Sequence, residues 1–168
     1  MLGMPFRLAA IAILVAGFAL CGNADGADKV IRSHGIEVHF LGHTAERAYK
    51  AHYLRETWSQ LYSAVEIQSR SGAVHRLKAD PEYGLFVAAS ELTISPDGKY
   101  LVLEQLLGGY AEDDEHRWWH EVDHCVFIET DTARLVTRET EGYCGGEFSA
   151  PDVWTSINGD LNLATLGQ

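Results

Sequence analysis

Between Glu91 and Gly146 the sequence leaves the backbone few choices. Leu92-Thr93-Ile94 leads into Ser95-Pro96-Asp97-Gly98, and Lys99-Tyr100-Leu101-Val102-Leu103 leads out. Apolar β-formers on both sides of a Pro-Asp-Gly turn read as a hairpin, with Gly98 supplying a positive φ. The same stretch ends with Cys125 and Cys144, the only cysteines outside an N-terminal apolar run. A second strand pair tied by a disulfide is expected there. Closing a loop of that length stabilises by about 3 kcal/mol on chain-entropy grounds.

The compartment supports that pairing. Arg7 precedes an apolar run from Leu8 to Leu20, followed by Gly22, Asn23 and Ala24. A basic start, a short apolar segment and then small residues form the layout of a secretory signal peptide, with cleavage expected after Ala24. The run is shorter than the about 20 residues a membrane helix needs, so no stable membrane insertion is expected after cleavage. A lipoprotein would anchor through Cys21, but Leu20 is larger than the residue that normally precedes a lipidated cysteine. The expected destination is the periplasm or the cell exterior, where disulfides persist.

Residues 25–168 are enough for a single β-rich domain with one core. Cleavage removes Arg7 and no acid, leaving 12 Lys and Arg against 24 Asp and Glu, a net charge of −12 with His neutral. Such a surface repels nucleic acid and anionic membrane and favours a basic protein partner. The plainer reading is that it serves solubility.

Along the chain, Asp25 to Ser33 is polar and reads as frayed. Gly35 to Leu41 alternates, with Ile36, Val38 and Phe40 on one side and Glu37 and His39 on the other, as a half-buried strand does. Thr44 to Tyr62 has near-helical spacing without Gly or Pro, although Tyr53 to Tyr62 suits a strand equally. Hairpins follow. Val65 and Ile67 answer Val74 and Leu77 across Ser71-Gly72, and Leu85 to Ala89 reads as a short buried strand. Gly108 to Glu115 reads as a loop. Cys125–Glu129 and Leu135–Arg138 flank Thr130-Asp131-Thr132, and Asn158-Gly159 marks a last hairpin. The expected fold is mainly β, an antiparallel hairpin meander forming a small sandwich or open barrel, with one helix allowed near 44–62. Ser95-Pro96-Asp97-Gly98-Lys99-Tyr100-Leu101 resembles the blade turn of TolB-like β-propellers. It occurs once, so the resemblance implies only a strand–turn–strand geometry.

His120-Glu121-Val122-Asp123-His124 matches H-E-x-x-H. It resembles the zinc-protease motif, which implies His120 and His124 as zinc ligands and Glu121 as general base, all on one helical face. Asp123 is charged where that family prefers an uncharged residue, and the segment runs into the strand-like Cys125-Val126-Phe127-Ile128. As a strand it would place His120 and His124 on one side about 13 Å apart, too far for one ion. No metal or other cofactor is therefore expected. The strand reading puts His116, Trp118, His120, Val122 and His124 on one face, and Arg117, Trp119, Glu121, Asp123 and Cys125 on the other. One of the adjacent Trp118 and Trp119 must then point away from the core. Beside them stand four consecutive acids, Glu112, Asp113, Asp114 and Glu115, without the oxygen spacing or central Gly of a calcium loop. Acids around an exposed Trp suit a protein interface, so these six residues are the candidate partner-binding site.

No nucleophile elbow, P-loop or dinucleotide fingerprint is present. A signal peptide, one acidic β domain and one disulfide resemble, in layout, the immunity proteins that protect Gram-negative cells from secreted effectors, and periplasmic lysozyme inhibitors. The resemblance implies a binding protein that neutralises a basic effector or lysozyme-like enzyme. The alternatives are a zinc-dependent hydrolase using His120, Glu121 and His124, and a structural envelope protein.

Overall fold

In the computed structural model, which describes residues 28–43, 60–88, 90–113 and 115–166, the alternation of Ile36, Val38 and Phe40 becomes a strand with one buried face. This strand, β2 (Ile36–His43), is reached from β1 (Lys29–Ser33) through His34 and Gly35, which take φ of 52° and 76°. Two residues at positive φ make the mirror-image turn whose twist matches that of the strands. β1 corrects the frayed start expected through Ser33. Its polar residues are carried by a full ladder to β2, and Lys29 Nζ donates to the Ala88 carbonyl at 2.9 Å.

β3 (Leu61–Gln68) and β4 (Val74–Lys78) form the hairpin around Ser71-Gly72. β5 (Leu85–Val87), β6 (Thr93–Ile94), β7 (Tyr100–Glu112), β8 (Arg117–Glu129) and β9 (Arg134–Thr140) complete a nine-stranded antiparallel sheet. Its order is β1-β2-β3-β5-β7-β8-β9, with β4 added on β3 and β6 on β7. A 3-10 turn at Glu141–Tyr143 leads to a three-stranded sheet of β10 (Glu147–Ala150), β11 (Val153–Ser156) and β12 (Gly159–Asn162). The short helix α1 (Leu163–Leu166) follows.

The fold is thus mainly β and antiparallel. β1 and β9 remain edges, so the large sheet stays open rather than closing into a barrel. The leader read at 1–24, with Cys21, lies outside the described residues, as does the possible helix up to residue 59. Leu61 and Tyr62, its last positions, belong to β3. The final hairpin also shifts by one residue. Ser156 pairs with Gly159, so Ile157 and Asn158 form the tip and Gly159 takes the positive φ of 108°.

Alternation along β7 and β8 builds two cores. Leu101, Leu103, Val126 and Ile128 pack with Val38, Phe40, Val65 and Ile67, which requires the first half of the sheet to bend over β7 and β8. Tyr100, Cys125 and Phe127 point the other way, onto Trp154 and Leu163. Full burial of each large apolar side chain stabilises by roughly 1.5–3 kcal/mol.

The Ser95–Gly98 turn is held from three sides. Asp97 Oδ1 accepts from Ser95 Oγ at 2.7 Å and from the Lys99 amide at 3.0 Å. Arg70 donates to the Asp97 and His34 carbonyls, and Thr130 Oγ1 donates to the Gly98 carbonyl at 2.8 Å. Gly98 sits at φ 79°, and a Cβ there would lie 2.3 Å from the Arg70 guanidinium carbon.

Candidate protein interface

β7 and β8 pair continuously from Tyr100–Glu129 to Glu112–Arg117. Their neighbours stop earlier. β5 reaches only Leu106 on β7, and β9 ends opposite His124 on β8. Among the described residues, 107–112 and 117–123 therefore form a two-stranded arm flanked by no other strand. This corrects the loop expected over Gly108–Glu115. Both glycines are poor strand formers, but their pairing with Glu121 and His120 keeps them extended.

The loop shrinks to residues 113–116. Asp113 Oδ1 accepts from the amides of Glu115 at 2.9 Å and His116 at 2.8 Å, and the Asp113 amide donates to the His116 carbonyl at 2.9 Å. The amide of Glu115, then that of His116, hold the Asp113 carboxyl below the usual carboxylate range. Glu112, Asp113 and Glu115 are exposed at this tip, and Asp114 lies outside the described residues.

Cross-strand partners share a face, so the register sorts the aromatics. Tyr110 and Trp119 stand on one face, their ring centroids 5.3 Å apart and nearly perpendicular. Trp119 is half-buried against the cluster of Leu61 and Leu106, and its indole N–H donates to Glu121 Oε1 at 2.8 Å. Arg117, opposite Glu112, lies over the Tyr110 ring at 4.1 Å. The other face carries Leu107, Gly109, Ala111, Trp118, His120 and Val122. Here Trp118 is 46% exposed and is the indole that points outward. Beside it lies a shallow, largely apolar depression of about 200 Å³, opened by Gly109, where an added Cβ would meet nothing within 4 Å. The structure thus brings both indoles and the described acids onto one arm, with Glu112 on the face of Trp119, which packs toward the arm's base, and Trp118 on the opposite face.

The HExxH segment is a strand, which does not provide the helical arrangement on which the zinc-protease likeness rests. His120 is exposed on the arm, whereas His124 is buried at its base. Among the described residues no three His, Cys, Asp or Glu side chains gather as a metal site would require. His116, expected on the same strand face, lies instead in the loop beside Asp113.

His124 sits in a polar cluster that no local sequence pattern announces. Its ring stands edge-on to Tyr83 at 5.4 Å, Arg138 lies 3.7 Å over the other ring, and Gln105 is its cross-strand partner. Gln105 is fully buried and accepts from Arg138 Nε at 3.1 Å. A lone Gln after Glu104, in a run otherwise apolar from Tyr100 to Leu107, gives no sequence signal of such a role. Burial, reinforced by the Arg138 charge and opposed by Asp123, lowers the His124 pKa below its ordinary value of 6.5. The unfolded chain therefore takes up this proton first. Its contribution to stability is complete above about pH 6.5 and is lost as pH falls through the lower folded value. Urea midpoints across that range should fall with acidification, and less steeply in a His124→Gln variant. Equal slopes in the two proteins would remove His124 from the account.

Cys125 and Cys144 are joined, with Cα atoms 5.1 Å apart. Cys125 and Cys144 line a cleft of about 130 Å³, together with Phe40, Leu103, Trp154, Glu91 and Glu104. Pockets for drug-sized ligands run to about 300 Å³ or more, so this cleft is too small to be the main site. Comparison with known protein families, with curated proteins and with solved structures finds no match.

Proposed function

We propose that the chain is an exported protein-binding inhibitor or immunity protein, acting in the periplasm or outside the cell on a basic secreted or cell-wall-active effector. The observation that supports this reading most is the arm: a two-stranded projection that ends in acids and presents Trp118 to solvent beside an apolar depression. The acids draw a basic partner in, and the indole resists its departure.

The two halves separate kinetically. Converting Glu112, Asp113, Asp114 and Glu115 to their amides should slow association about tenfold at low salt, with a smaller loss as salt rises. Asp113→Asn keeps the side-chain oxygen that accepts the Glu115 and His116 amides, so the tip survives the change. Trp118→Ala should speed dissociation, at about 2 kcal/mol or more for a hot spot. The biological test is protection. Cells exporting the chain should survive an extracytoplasmic toxin encoded beside its gene, and survival should fall with Trp118→Ala. A folded, exported protein that protects against no such toxin and inhibits no basic lysozyme would overturn the reading.

A further inference from the structure

We infer that the arm takes its partner by strand addition, pairing the outer edge of β8 from Arg117 to Asp123 with an extended segment in which apolar and cationic residues alternate. The inference rests on the arm being the docking element and specifies what it would bind.

Among the described residues no second strand pairs with this edge, because β9 stops short. Thr140 is the last residue of β9 to pair with β8, opposite His124, and the chain then turns away through the 3-10 turn to Cys144, which is bonded back to Cys125. The backbone of β8 continues beyond that point for the length of the arm, and among the described residues only β7 pairs with it. Exposed edges are usually blunted by Pro, by bulges or by charged side chains, Lys above all. Residues 117–123 contain no Pro, and the register irregularity between β8 and β9 lies farther in, at Phe127 and Ile128. The charges on this edge, Arg117, Glu121 and Asp123, select against most strands, so the edge is a template only for one that complements them.

The side chains of β8 dictate the pattern of that strand. Residues laid beside Trp118, His120 and Val122 would stand on the face that carries the apolar depression. Their alternates would stand beside Glu121 and Asp123 on the opposite face, where Lys or Arg is complementary. The net charge of −12 remaining without residues 1–24 argues against a second copy of this chain as occupant and for a cationic one.

The probe is the peptide Lys-Val-Lys-Val-Lys-Val-Lys, compared with Lys-Lys-Lys-Lys-Val-Val-Val and with two N-methylated isomers, one methylated at its valines and one at its internal lysines. Strand addition needs only the amides facing β8. One methylated isomer should therefore lose affinity by at least about tenfold while the other keeps it, and the block peptide should bind more weakly by a similar factor. Amide exchange should slow between Arg117 and Asp123 on binding, and Glu121→Lys with Asp123→Lys should abolish the effect without unfolding the arm. Equal binding of both methylated isomers, equal binding of the block peptide, no binding by the alternating peptide, or protection confined to the β1 or β9 edge would each overturn strand addition. The inhibitor reading is judged separately: if Trp118→Ala still removes protection when the peptide series fails, the arm docks its partner by another mode.

Discussion

Trp154→Ala is expected to destabilise the protein by about 3–5 kcal/mol, the usual cost of deleting a large buried aromatic. Trp154 is 1% exposed and stands at the centre of the second core. Its ring meets Phe127 of β8 at 5.2 Å and Phe148 of β10 at 5.1 Å, both nearly edge-on. Its indole N–H donates to the carbonyl of Tyr143, the last residue of the 3-10 turn, at 2.8 Å. The same side chain thus fills the space between the sheets and satisfies the connection joining them. Trp154→Phe separates the roles: it keeps most of the packing and loses the hydrogen bond, at about 1–2 kcal/mol. Urea midpoints give the ranking, and amide exchange gives the location. Exchange should accelerate first in β10, β11 and β12. A loss below about 1 kcal/mol for Trp154→Ala would mean that the small sheet is held by something else.

Replacing Cys125 and Cys144 together with Ala should cost about 2–5 kcal/mol. The bond spans 19 positions and encloses the β8–β9 turn and all of β9. Its Cα separation of 5.1 Å falls within the ordinary range, so bridging requires no backbone displacement. Most of the effect should act on the unfolded chain, which regains the freedom of that loop. Cys125 is also buried against Tyr100 and Phe127, so its truncation adds a smaller packing loss. Unfolding of the unaltered protein should become reductant-sensitive, and that of the double variant should not. Mass measurement after alkylation without reductant should find no label on either cysteine in protein purified under oxidising conditions. Two labelled thiols there would contradict the bond.

Turn chemistry and alternation made most of this architecture legible. Gly98, Gly72 and Gly159 each sit at positive φ in the hairpins their neighbours announce. The alternation of Trp118 and Trp119 also required one indole to face outward. Which one did so depends on the cluster of Leu61 and Leu106 that Trp119 packs against, and Leu61 comes from a distant part of the chain. β1 was hidden because its polar residues become a strand only through pairing with β2. The arm was hidden because Gly108 and Gly109 carry loop propensity, which thirteen-residue partner strands override. The cluster around His124 joins Tyr83, Gln105 and Arg138 from three separate segments, and no local pattern connects them.

β5 has a consequence for how the chain reaches this state. It is three residues long, yet among the described residues it alone pairs with both β3 and β7. On one side of it lie β1 to β4, linked by hairpins or neighbouring pairs, and on the other lie β6 to β9, likewise paired with near neighbours in sequence. Local pairings of that kind form early, because they close the shortest loops. The slow event is then the meeting of two meanders, with Phe86 of β5 seated between Tyr62 and Gln105. Phe86→Leu should consequently slow refolding more than it speeds unfolding, giving a φ-value well above those of core positions within either meander. Stopped-flow chevrons would show the reverse if the sheet instead grew from one end.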